Sequence, residues 1–511
     1  MKAGNIKKCL LAWSELTSDS EVLDTVEGLP IDLDQEFEDL TSTLVQPQYP
    51  LGAEEHTFVE QEIDRLLHIG AICPTTHEPG EFVSPIFVRP KDDESFRLIL
   101  NLKKLNEYTE YIHFKMDTLT SILRLVRPGA YMAKVDIKDA YYSVPIRQSD
   151  QKKLKFCFDD KLYQFTVLPN GYSPGPRKFT KMLKPPLSLL RKWRITIAAY
   201  LDDMFTSNLS YEKCKQNIRT IFDMFGSLGF VIHPRKSTFE PSTLMEFLGF
   251  LIDSISMRVS LTDDKKNCII NLCDSITYMD SLSIRMVARL IGNFTSSFIA
   301  VPEGKLHYRH IERDKVTALA RARGDYDAPM SLSPNSLKEI DWWRTNILEA
   351  SSPIYRPNPT VTMSTDASLQ GWGACRDLVR TGGLFSEAEV DESHINHLEA
   401  RAVGFGLAAL CSDVFNTHIL VLTDNTSTVG GINNMGSSKS FQLDFEVKII
   451  WEWILTRGNW ITATHIPGRL NIEADEESRR SETRTEWKLN EDDFKQVIEY
   501  FLFQPNVDLC F

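Results

Sequence analysis

The spacing of hydrophobic residues between positions 54 and 260 switches repeatedly between the period of a helix and that of a strand. From Glu54 to Gly70 apolar residues recur at helical spacing, whereas segments 83–88 and 96–100 alternate as strands do. The elements predicted next are a helix at 116–126, a strand at 131–137, a hairpin at 156–168, a helix at 173–190, a strand at 195–201, a helix at 211–228, and short strands around Phe239 and at 247–252. This alternation predicts a mixed α/β domain.

Outside this region the pattern predicts further domains. Helices are expected from Asp263 to Ile347, and the proline-rich segment 351–359 that follows them is typical of a linker. The predicted organisation is an N-terminal arm (1–50), a first α/β domain (51–260), a helical block (261–350), a linker (351–360), a second α/β domain (361–482) and a helical tail (483–511).

Two adjacent carboxylates, Asp202 and Asp203, directly follow the apolar strand predicted at 195–201. Burying an unpaired carboxylate costs several kcal/mol, so both acids must either face solvent or meet cations. A hairpin tip in solvent explains the pair without any function. The functional alternative is a site for a divalent metal, which needs a third acid from elsewhere in the chain.

Asp136 can supply the third carboxylate, because it also ends an apolar predicted strand. If the two strand ends lay side by side, the clustered negative charges would need cations to remain ionised. Two divalent ions held in this way serve in-line displacement at phosphorus. Asp139, three residues further on, is better explained as a surface or helix-capping acid.

The second α/β domain also contains acidic residues on or at the ends of predicted elements. Asp366 and Asp424 end predicted strands, Glu399 lies on a predicted helix, and Asp475 follows near the domain's end. A strand-end aspartate alone often caps the following helix. The significance of these acids therefore depends on whether the fold brings them together.

Composition limits the function classes without choosing among them. The chain has 511 residues, 42% hydrophobic content and a net charge of −13, so it can bury several cores but is not a uniformly basic nucleic-acid coat. Basic residues cluster locally, most clearly from Lys305 to Arg323. Nine scattered cysteines without a CxxC pair favour neither a zinc site nor a disulfide framework. Lacking a signal peptide and a membrane-length apolar run, the chain is expected to be intracellular, in cytoplasm or nucleus.

Five ordered motifs resemble those of reverse transcriptases. They are SFRLILNLKKLN, VDIKDAYYSVPI, LPNGYSPGPRKFTKML, YLDD and EFLGFLID, within residues 50–255. The resemblance implies a right-hand polymerase with fingers, palm and thumb. In that family Asp136 and Asp202 are the positions of the principal metal ligands, and Asp203 is the neighbouring third acid.

The resemblance also assigns substrate-binding positions. Arg97 matches the fingers arginine that holds the incoming triphosphate, and Lys91 is its plausible partner. Tyr141 matches the aromatic gate that excludes the ribose 2′-hydroxyl.

Three further positions carry less specific assignments. Lys236 stands where such enzymes place a lysine able to protonate pyrophosphate, although a solvated loop lysine explains it equally well. Asn170 departs from the family, in which Gln or Phe is usual, and so leaves the dNTP contact open. Gly171 allows close backbone approach to the substrate, or simply serves the turn into the next helix.

The order Asp366, Glu399, Asp424, Asp475 resembles the active site of ribonuclease H, in an α/β domain that would follow the polymerase. The resemblance implies a second two-metal site, in which water attacks an RNA phosphodiester. His465 matches the mobile histidine of many such domains, with an ordinary loop histidine as the alternative. Asp475 fits the family ending better than Glu473 does.

Further segments are similar to polyproteins of DIRS-like retrotransposons. They include Ala3-Gly4-Asn5-Ile6-Lys7, Arg289-Leu290-Ile291-Gly292 and residues 304–309. The resemblance implies an RNA template, a DNA primer, an RNA/DNA hybrid and dNTPs as partners, with two Mg²⁺ ions (or Mn²⁺) in each site. It also implies a tyrosine recombinase of the same element, for which this chain has no room, and no membrane partner.

Three functions are consistent with these observations. The first is an active RNA-directed DNA polymerase with a ribonuclease H domain, since all seven expected acids are present. The second is a catalytically silent, host-recruited or relic protein of the same fold that only binds nucleic acid, which Asn170 and the acidic N-terminal arm favour. The third is a dedicated nuclease with a vestigial polymerase.

Overall fold

A computed structural model describes residues 2–34, 44–90, 96–279, 281–391, 394–480 and 491–501. The chain divides into two compact units, Met1–Arg258 and Val259–Phe511. The predicted substrate ligand Lys91 lies outside the described residues. Within the described ranges, no helix combines the length and apolar character required to cross a bilayer.

The first unit is a mixed α/β structure. Its helices are α1 (Leu10–Leu16), α2 (Ser20–Gly28), α3 (Ala53–Ile69), α4 (Lys103–Asn106), α5 (Leu119–Leu123), α6 (Gly175–Lys192) and α7 (Tyr211–Ser227). Its strands are β1 (Leu44–Val45), β2 (Ile72–Pro74), β3 (Phe82–Val83), β4 (Ile86–Pro90), β5 (Phe96–Leu100), β6 (Tyr131–Asp136), β7 (Lys155–Phe158), β8 (Lys161–Phe165), β9 (Thr196–Tyr200), β10 (Asp203–Asn208), β11 (Leu244–Phe247) and β12 (Phe250–Asp253). Short 3₁₀ helices lie at Asn5–Cys9, Ala140–Ser143 and Gln148–Leu154.

Two sheets organise this unit. An antiparallel sheet in the order β6-β10-β9 is backed by α6 and α7, and a five-stranded sheet has the order β1-β3-β7-β8-β2. Strands β4 and β5 form a separate hairpin. Most strands and long helices confirm the periodicity of the sequence, because each buries one apolar face.

Three sequence predictions were wrong in detail. The strand expected around Phe239 is absent, since Pro234 and Pro241 cannot donate backbone hydrogen bonds. The helix expected at 116–126 is only α5, which starts after its cap, Thr118. The strand expected at 247–252 is interrupted: Phe247 ends β11 and Phe250 begins β12, and between them Leu248 (φ 51°) and Gly249 (φ 76°) adopt the left-handed conformation that tight hairpins favour.

The predicted N-terminal arm is an integral part of the first unit's core. Ile6 and Trp13 are fully buried, and Val22 and Val26 of α2 join the same hydrophobic cluster as the central sheet. The acidic residues of this segment are also engaged: Glu21 forms ion pairs with Arg177, Lys178 and Lys181 of α6. Glu21, one of the acids of the predicted arm, therefore helps to fasten α2 to α6.

Replacing Glu21 by Gln is expected to destabilise the protein at neutral pH only. Burial opposes ionisation of Glu21, but hydrogen bonds from Lys181, Lys178 and Arg177 outweigh it and lower the pKa from 4.5 to about 2. The charged pairs thus stabilise the fold above pH 4.5, and this contribution is lost as pH falls towards 2. Discounted for partial exposure, we expect about 1 kcal/mol, or about 2 to 4 °C in thermal midpoint at pH 7.

Thermal unfolding at pH 7 and at pH 3 measures this effect. Glu15→Gln on α1 is the control, because Glu15 is exposed. A deficit in Glu21→Gln that stays equally large at both pH values would contradict the ion-pair explanation.

The second unit contains a helical block and a second α/β fold. Its helices are α8 (Asp263–Tyr278), α9 (Ile284–Ser297), α10 (Arg309–Arg321), α11 (Pro334–Asn346), α12 (Glu387–Asp391), α13 (Ile395–Leu410), α14 (Thr426–Asn434), α15 (Phe441–Thr456), α16 (Ile472–Ser478) and α17 (Glu491–Phe501). Its strands are β13 (Arg258–Leu261), β14 (Leu282–Ser283), β15 (Pro329–Met330), β16 (Ser351–Pro353), β17 (Val361–Ala367), β18 (Gly371–Arg376), β19 (Val379–Leu384), β20 (His418–Thr423) and β21 (Trp460–His465). Short 3₁₀ helices lie at Pro302–Leu306 and Gly468–Leu470.

A five-stranded mixed sheet, in the order β19-β18-β17-β20-β21, forms the centre of the second α/β fold. Strand β17 pairs in parallel with β20, and β20 in parallel with β21. The carboxyl ends of these three strands therefore lie at the same edge, which is where Asp366, Asp424 and His465 occur.

The predicted linker is largely ordered by contacts. Ser351–Pro353 is strand β16. The Arg356 guanidinium lies 3.2 Å from the ring centroid of Trp460, and His418 Nδ1 lies 2.7 Å from the Pro357 carbonyl oxygen. The proline spacing that suggested a free connector thus belongs to a segment held against the β20–β21 end of the sheet.

Candidate active sites

The first carboxylate cluster is assembled by strand pairing. Strand β6 ends at Asp136 and β10 begins at Asp203, and the antiparallel register places these two residues opposite each other. Asp202 occupies the two-residue loop between β9 and β10, where its carbonyl accepts a hydrogen bond from Ile137 N at 3.0 Å. The three predicted ligands therefore lie at one end of one sheet.

The loop that carries Asp202 has an unusual backbone. Leu201 has φ 53°, a conformation that two-residue hairpin loops usually reserve for Gly or Asn. Strained residues of this kind occur where the surrounding structure fixes them, often at functional sites. Here β9 and β10 on both sides hold the turn in place.

The three carboxylates are in different electrostatic states. Burial raises the pKa of Asp136 and of Asp202, and the Asp203 carboxylate raises both further. Asp203 itself is paired with Lys134, with Nζ 2.9 Å from Oδ1. A cation near Asp136 and Asp202 would therefore stabilise their charged forms. Asp203 already has a cationic partner in Lys134, which the sequence did not indicate.

A cavity of about 560 Å³ lies in front of this cluster. Its lining includes Asp136 and Asp202 together with four of the predicted substrate-binding residues, namely Arg97, Tyr141, Asn170 and Lys236. Arg97 is exposed on β5, directly across the hairpin from Arg89, a second exposed cation that the sequence analysis did not single out. Cationic and anionic groups thus face one cavity, as recognition of a metal-bound phosphate requires.

Gly171 is not among the cavity-lining residues, and its conformation shows a structural role. It has φ 105°, and a Cβ added there would lie 3.2 Å from the Leu100 carbonyl oxygen. Its own carbonyl accepts a hydrogen bond from Asn106 Nδ2 at 2.9 Å. These contacts support the turn into α6.

Tyr141 lies on the 3₁₀ helix Ala140–Ser143, immediately after the Asp136 strand end. Burial, with a smaller contribution from the Asp202 carboxylate, raises the pKa of Tyr141 to about 12, so its hydroxyl stays neutral. Its ring packs edge-on against Phe179, with centroids 5.4 Å apart. Tyr141 therefore lines the cavity with a neutral aromatic ring that Phe179 supports.

Lys236 belongs to a turn that is fastened to the Asp136 strand. His233 N donates to the Asp136 carbonyl at 2.8 Å, and Asp136 N donates to Ser237 Oγ at 3.0 Å. Within the turn, His233 Nδ1 accepts from the backbone of Arg235 and Lys236, each at 3.2 Å. Lys236 lines the same cavity as Asp136 and Asp202, and its charge offsets part of the rise that burial causes in the pKa of both.

The second carboxylate cluster lies at the edge of the five-stranded sheet. Asp366 on β17, Glu399 on α13 and Asp424 after β20 offer ligand oxygens that all lie within 4.8 Å of one another. Among the described residues, it is the group of three acidic, histidine or cysteine side chains found close enough together to hold a metal ion. Asp366 and Glu399 are buried.

The ionisation of this cluster reflects its crowding. Burial, then the charges of Asp366 and Asp424, raise the pKa of Glu399 to about 8. Burial likewise raises the pKa of Asp366, against a hydrogen bond of 2.7 Å from Ser478 Oγ. Asn471 Nδ2 holds the Thr365 carbonyl at 2.9 Å and so fixes the backbone beside Asp366, a role that sequence reasoning missed.

The remaining predicted residues of this site lie near the cluster without joining it. Asp475 on α16 acts electrostatically on Asp366, but its carboxylate pairs with Arg479 at 2.8 Å. His465, at the end of β21, is exposed and lies in register with Thr423, which precedes Asp424. Glu473 is bound to Arg380 and Cys375 instead.

Two glycines bring backbone against this site, although nothing in their spacing marked them. Gly373 pairs with Asp366, and a Cβ there would lie 2.2 Å from the Ala474 carbonyl oxygen, so α16 can lie directly on β18. A Cβ on Gly468 would lie 2.7 Å from Asp424 Oδ2. Gly373 requires glycine because its nearest neighbours are backbone atoms, whereas at Gly468 the neighbouring atom is the end of the Asp424 side chain.

The chemistry of the donors fits a hard divalent cation at both sites. All the candidate ligands are carboxylate oxygens, which Mg²⁺ and Mn²⁺ prefer. Burial raises the pKa of Asp136, Asp202, Asp366 and Glu399, and a divalent ion would stabilise their charged forms. In the first cluster Asp136 and Asp202 fit best, and in the second Asp366, Glu399 and Asp424.

The sequence of this chain is similar to those of known proteins. Residues 89–252 match the sequence profile of the family described as reverse transcriptase (RNA-dependent DNA polymerase). The chain is 24% identical over 353 residues to the Pro-Pol polyprotein of Simian foamy virus type 1, covering 67% of this chain and 29% of that polyprotein. It is 25% identical over 224 residues to the retrovirus-related Pol polyprotein from transposon opus of Drosophila melanogaster, covering 43% and 21%. The chain thus spans about a quarter of these relatives.

Solved structures show the same fold. A foamy viral protease-reverse transcriptase in complex with dsDNA matches with a TM-score of 0.53 and 19% identity, over 84% of this chain and 87% of that one. A complex with an RNA/DNA hybrid matches with a TM-score of 0.54 and 17% identity, over 88% and 58%. The mixed α/β polymerase fold expected from the sequence is confirmed. Residues 89–252 therefore match the reverse transcriptase family, and the chain is similar to retroviral and retrotransposon Pol polyproteins.

Proposed function

We propose that this chain is an RNA-directed DNA polymerase that extends a primer by two-metal nucleotidyl transfer. The observation that carries the proposal is the register of β6 against β10, which brings Asp136 beside Asp203 and Asp202. Asp136 and Asp202 line a cavity that Arg97, Tyr141 and Lys236 also line. Metal-binding carboxylates and phosphate-binding cations together suit a nucleoside triphosphate.

Each residue has a distinct part in the proposed reaction. Bound divalent ions would activate the primer hydroxyl and neutralise the leaving pyrophosphate. Asp136 and Asp202 would hold them, while Lys134 keeps Asp203 oriented. Arg97 would bind triphosphate oxygens, with Lys91 as its predicted partner, and Tyr141 would exclude a 2′-hydroxyl. Lys236, in the turn that His233 fastens to Asp136, would give a proton to pyrophosphate.

The second unit is proposed to degrade the RNA of an RNA/DNA hybrid. The convergence of Asp366, Glu399 and Asp424 supports this, because hydrolysis of a phosphodiester by two metals needs such a cluster. Asp475 and His465 are the proposed accessory groups on the open side. Opening of the Asp475–Arg479 pair, which is solvent-exposed and therefore weak, would free Asp475 for the metal site.

The element that encodes this chain is proposed to be a DIRS-like retrotransposon. The supporting residues are Ala3-Gly4-Asn5-Ile6-Lys7 and the segments at 289–292 and 304–309. The proposed partners are an RNA template, a DNA primer, the hybrid they form and dNTPs, with a tyrosine recombinase encoded separately.

Primer extension on RNA and DNA templates tests the proposed polymerase. We expect Mg²⁺-dependent incorporation of dNTPs on both templates, with Mn²⁺ as an alternative ion and complete loss in EDTA, because Asp136 and Asp202 need a cation to bind triphosphate. Cleavage of a labelled RNA/DNA hybrid is measured in parallel.

The outcomes separate the functions considered. Template-primer binding without synthesis or cleavage would instead establish a catalytically silent nucleic-acid-binding protein. Cleavage without synthesis would establish a dedicated nuclease.

A further inference from the structure

The N-terminal segment, residues 2–17, is attached by its backbone to the turn that carries Tyr141. Gly4 N donates to the Tyr142 carbonyl at 2.8 Å, and Ala3 N donates to the Ile69 carbonyl at 2.8 Å. Gly4 has φ 65°, and a Cβ added there would lie 3.5 Å from Pro145 Cβ and 3.6 Å from Val167 Cγ1. The first residues of the chain therefore lie directly against the 3₁₀ helix Ala140–Ser143.

The same segment is anchored at a second point, the loop after α7. Trp13 Nε1 donates to the Leu228 carbonyl at 3.0 Å, and Asn5 Nδ2 donates to the Gly229 carbonyl at 3.1 Å. A Cβ added to Gly229 would lie 2.9 Å from Ile6 Cα, so the two backbones touch. This contact is specific, because any other residue at Gly229 would push the segment away.

An unbroken chain of aromatic rings joins this anchor to Tyr141. The Trp13 ring packs edge-on against Phe230 with centroids 6.1 Å apart, Phe230 against Phe179 at 6.2 Å, and Phe179 against Tyr141 at 5.4 Å. Trp13, Phe179 and Phe230 are buried. Close-packed interiors transmit displacements, so a change at Trp13 must be absorbed by the rings in contact with it.

The Tyr141 turn needs such support. A single 3₁₀ turn is a poor source of stability on its own, and this one starts at Asp139 in the left-handed conformation, φ 46°. Gly4 holds its backbone from one side, and Phe179 holds the Tyr141 ring from another.

We propose that the N-terminal segment is a positioning element for Tyr141, with Trp13 as its key residue, and that it thereby sets discrimination between deoxyribonucleotides and ribonucleotides. The part of this inference that concerns nucleotide discrimination rests on the proposed polymerase function. The positioning itself is a property of the fold.

The test compares Trp13→Leu with Trp13→Phe and Leu11→Ala. Leu11 is 75% exposed on the same helix, so Leu11→Ala is the matched control. The readout is the ratio of kcat/KM for a dNTP to that for the matching rNTP, in which the fraction of active enzyme cancels. We expect Trp13→Leu to lower this ratio by about tenfold or more, since displacements of about 1 Å have effects of this size. Trp13→Phe should keep this ratio close to that of wild type, because it retains an aromatic ring. Tyr141→Ala gives the ratio of an enzyme that lacks the Tyr141 ring.

Hydrogen exchange across residues 138–146 measures the positioning without any catalysis. We expect faster exchange there in Trp13→Leu, and wild-type exchange in Leu11→Ala. If wild type incorporates no dNTP, the polymerase proposal fails, and exchange alone decides the positioning. Unchanged exchange in Trp13→Leu would overturn the inference. The inference would also be overturned if Tyr141→Ala lowered the dNTP-to-rNTP ratio of kcat/KM and Trp13→Leu left that ratio unchanged.

Discussion

Replacing Asp202 by Asn is expected to lower the rate of primer extension by at least about 10³-fold, because a metal ligand supplies several kcal/mol of charge stabilisation in the transition state. Asp202 lies in the fixed loop beside Asp136, and an amide in its place has no charge with which to hold a cation. Single-turnover incorporation of one dNTP on an RNA template in Mg²⁺ measures the effect.

The fold should tolerate this substitution. Burial and the two neighbouring carboxylates raise the pKa of Asp202, so its charge is a cost to the metal-free protein. A neutral Asn removes that cost, and the thermal midpoint in EDTA should equal or exceed that of wild type.

Asp223→Asn is the matched control, since it removes the same charge from an exposed position on α7. It should leave extension unchanged. Wild-type incorporation by Asp202→Asn would refute the assignment of this cluster as the polymerase site.

Replacing Glu399 by Gln is expected to abolish cleavage of an RNA/DNA hybrid, again by at least about 10³-fold, while primer extension on a DNA template continues at the wild-type rate. Glu399 contributes one of the three carboxylates that converge within 4.8 Å. The acids proposed for synthesis belong to the first unit. A gel assay of labelled hybrid, run beside primer extension, measures both activities on one preparation.

The same variant should be more stable than wild type at alkaline pH without metal. Burial and the charges of Asp366 and Asp424 raise the pKa of Glu399 to about 8, far above its value in the unfolded chain. Folding is therefore weakened as pH rises from 4.5 towards 8, and stays weakened above it. Gln removes this loss, so its thermal midpoint in EDTA at pH 9 should exceed that of wild type.

Glu452→Gln, an exposed position on α15, controls for the loss of a glutamate in this fold. It should change neither cleavage nor the midpoint at pH 9. Hybrid cleavage that survives in Glu399→Gln would show that this cluster is not the nuclease site.

Local sequence pattern predicted most elements correctly, and it failed where backbone chemistry overrode periodicity. Helices α3, α6 and α7 follow from apolar spacing, because each shows one hydrophobic face in its own residues. The strand expected at 247–252 was wrong because a turn at Leu248 and Gly249 divides it. The apolar residues on both sides of this turn belong to strands β11 and β12, so the hydrophobic pattern alone did not reveal the turn.

The sites were predicted only in part. Motif order named the acids, but Lys134, His233 and Asn471 had no signal in the sequence, since each acts through a partner distant along the chain. Residues 1–50 were predicted to be an arm, because a sequence does not show that Arg177, Lys178 and Lys181 lie opposite Glu21.

The sequence by itself determined which residues carry chemistry and the order of elements that present them, because periodicity and motif spacing are local properties. Only the tertiary structure decided which carboxylates converge, that Lys134 partly neutralises Asp203, and that Trp13 reaches Tyr141 through two other rings. These features depend on strand register and on packing between distant segments, and their energies exist only once the chain has folded.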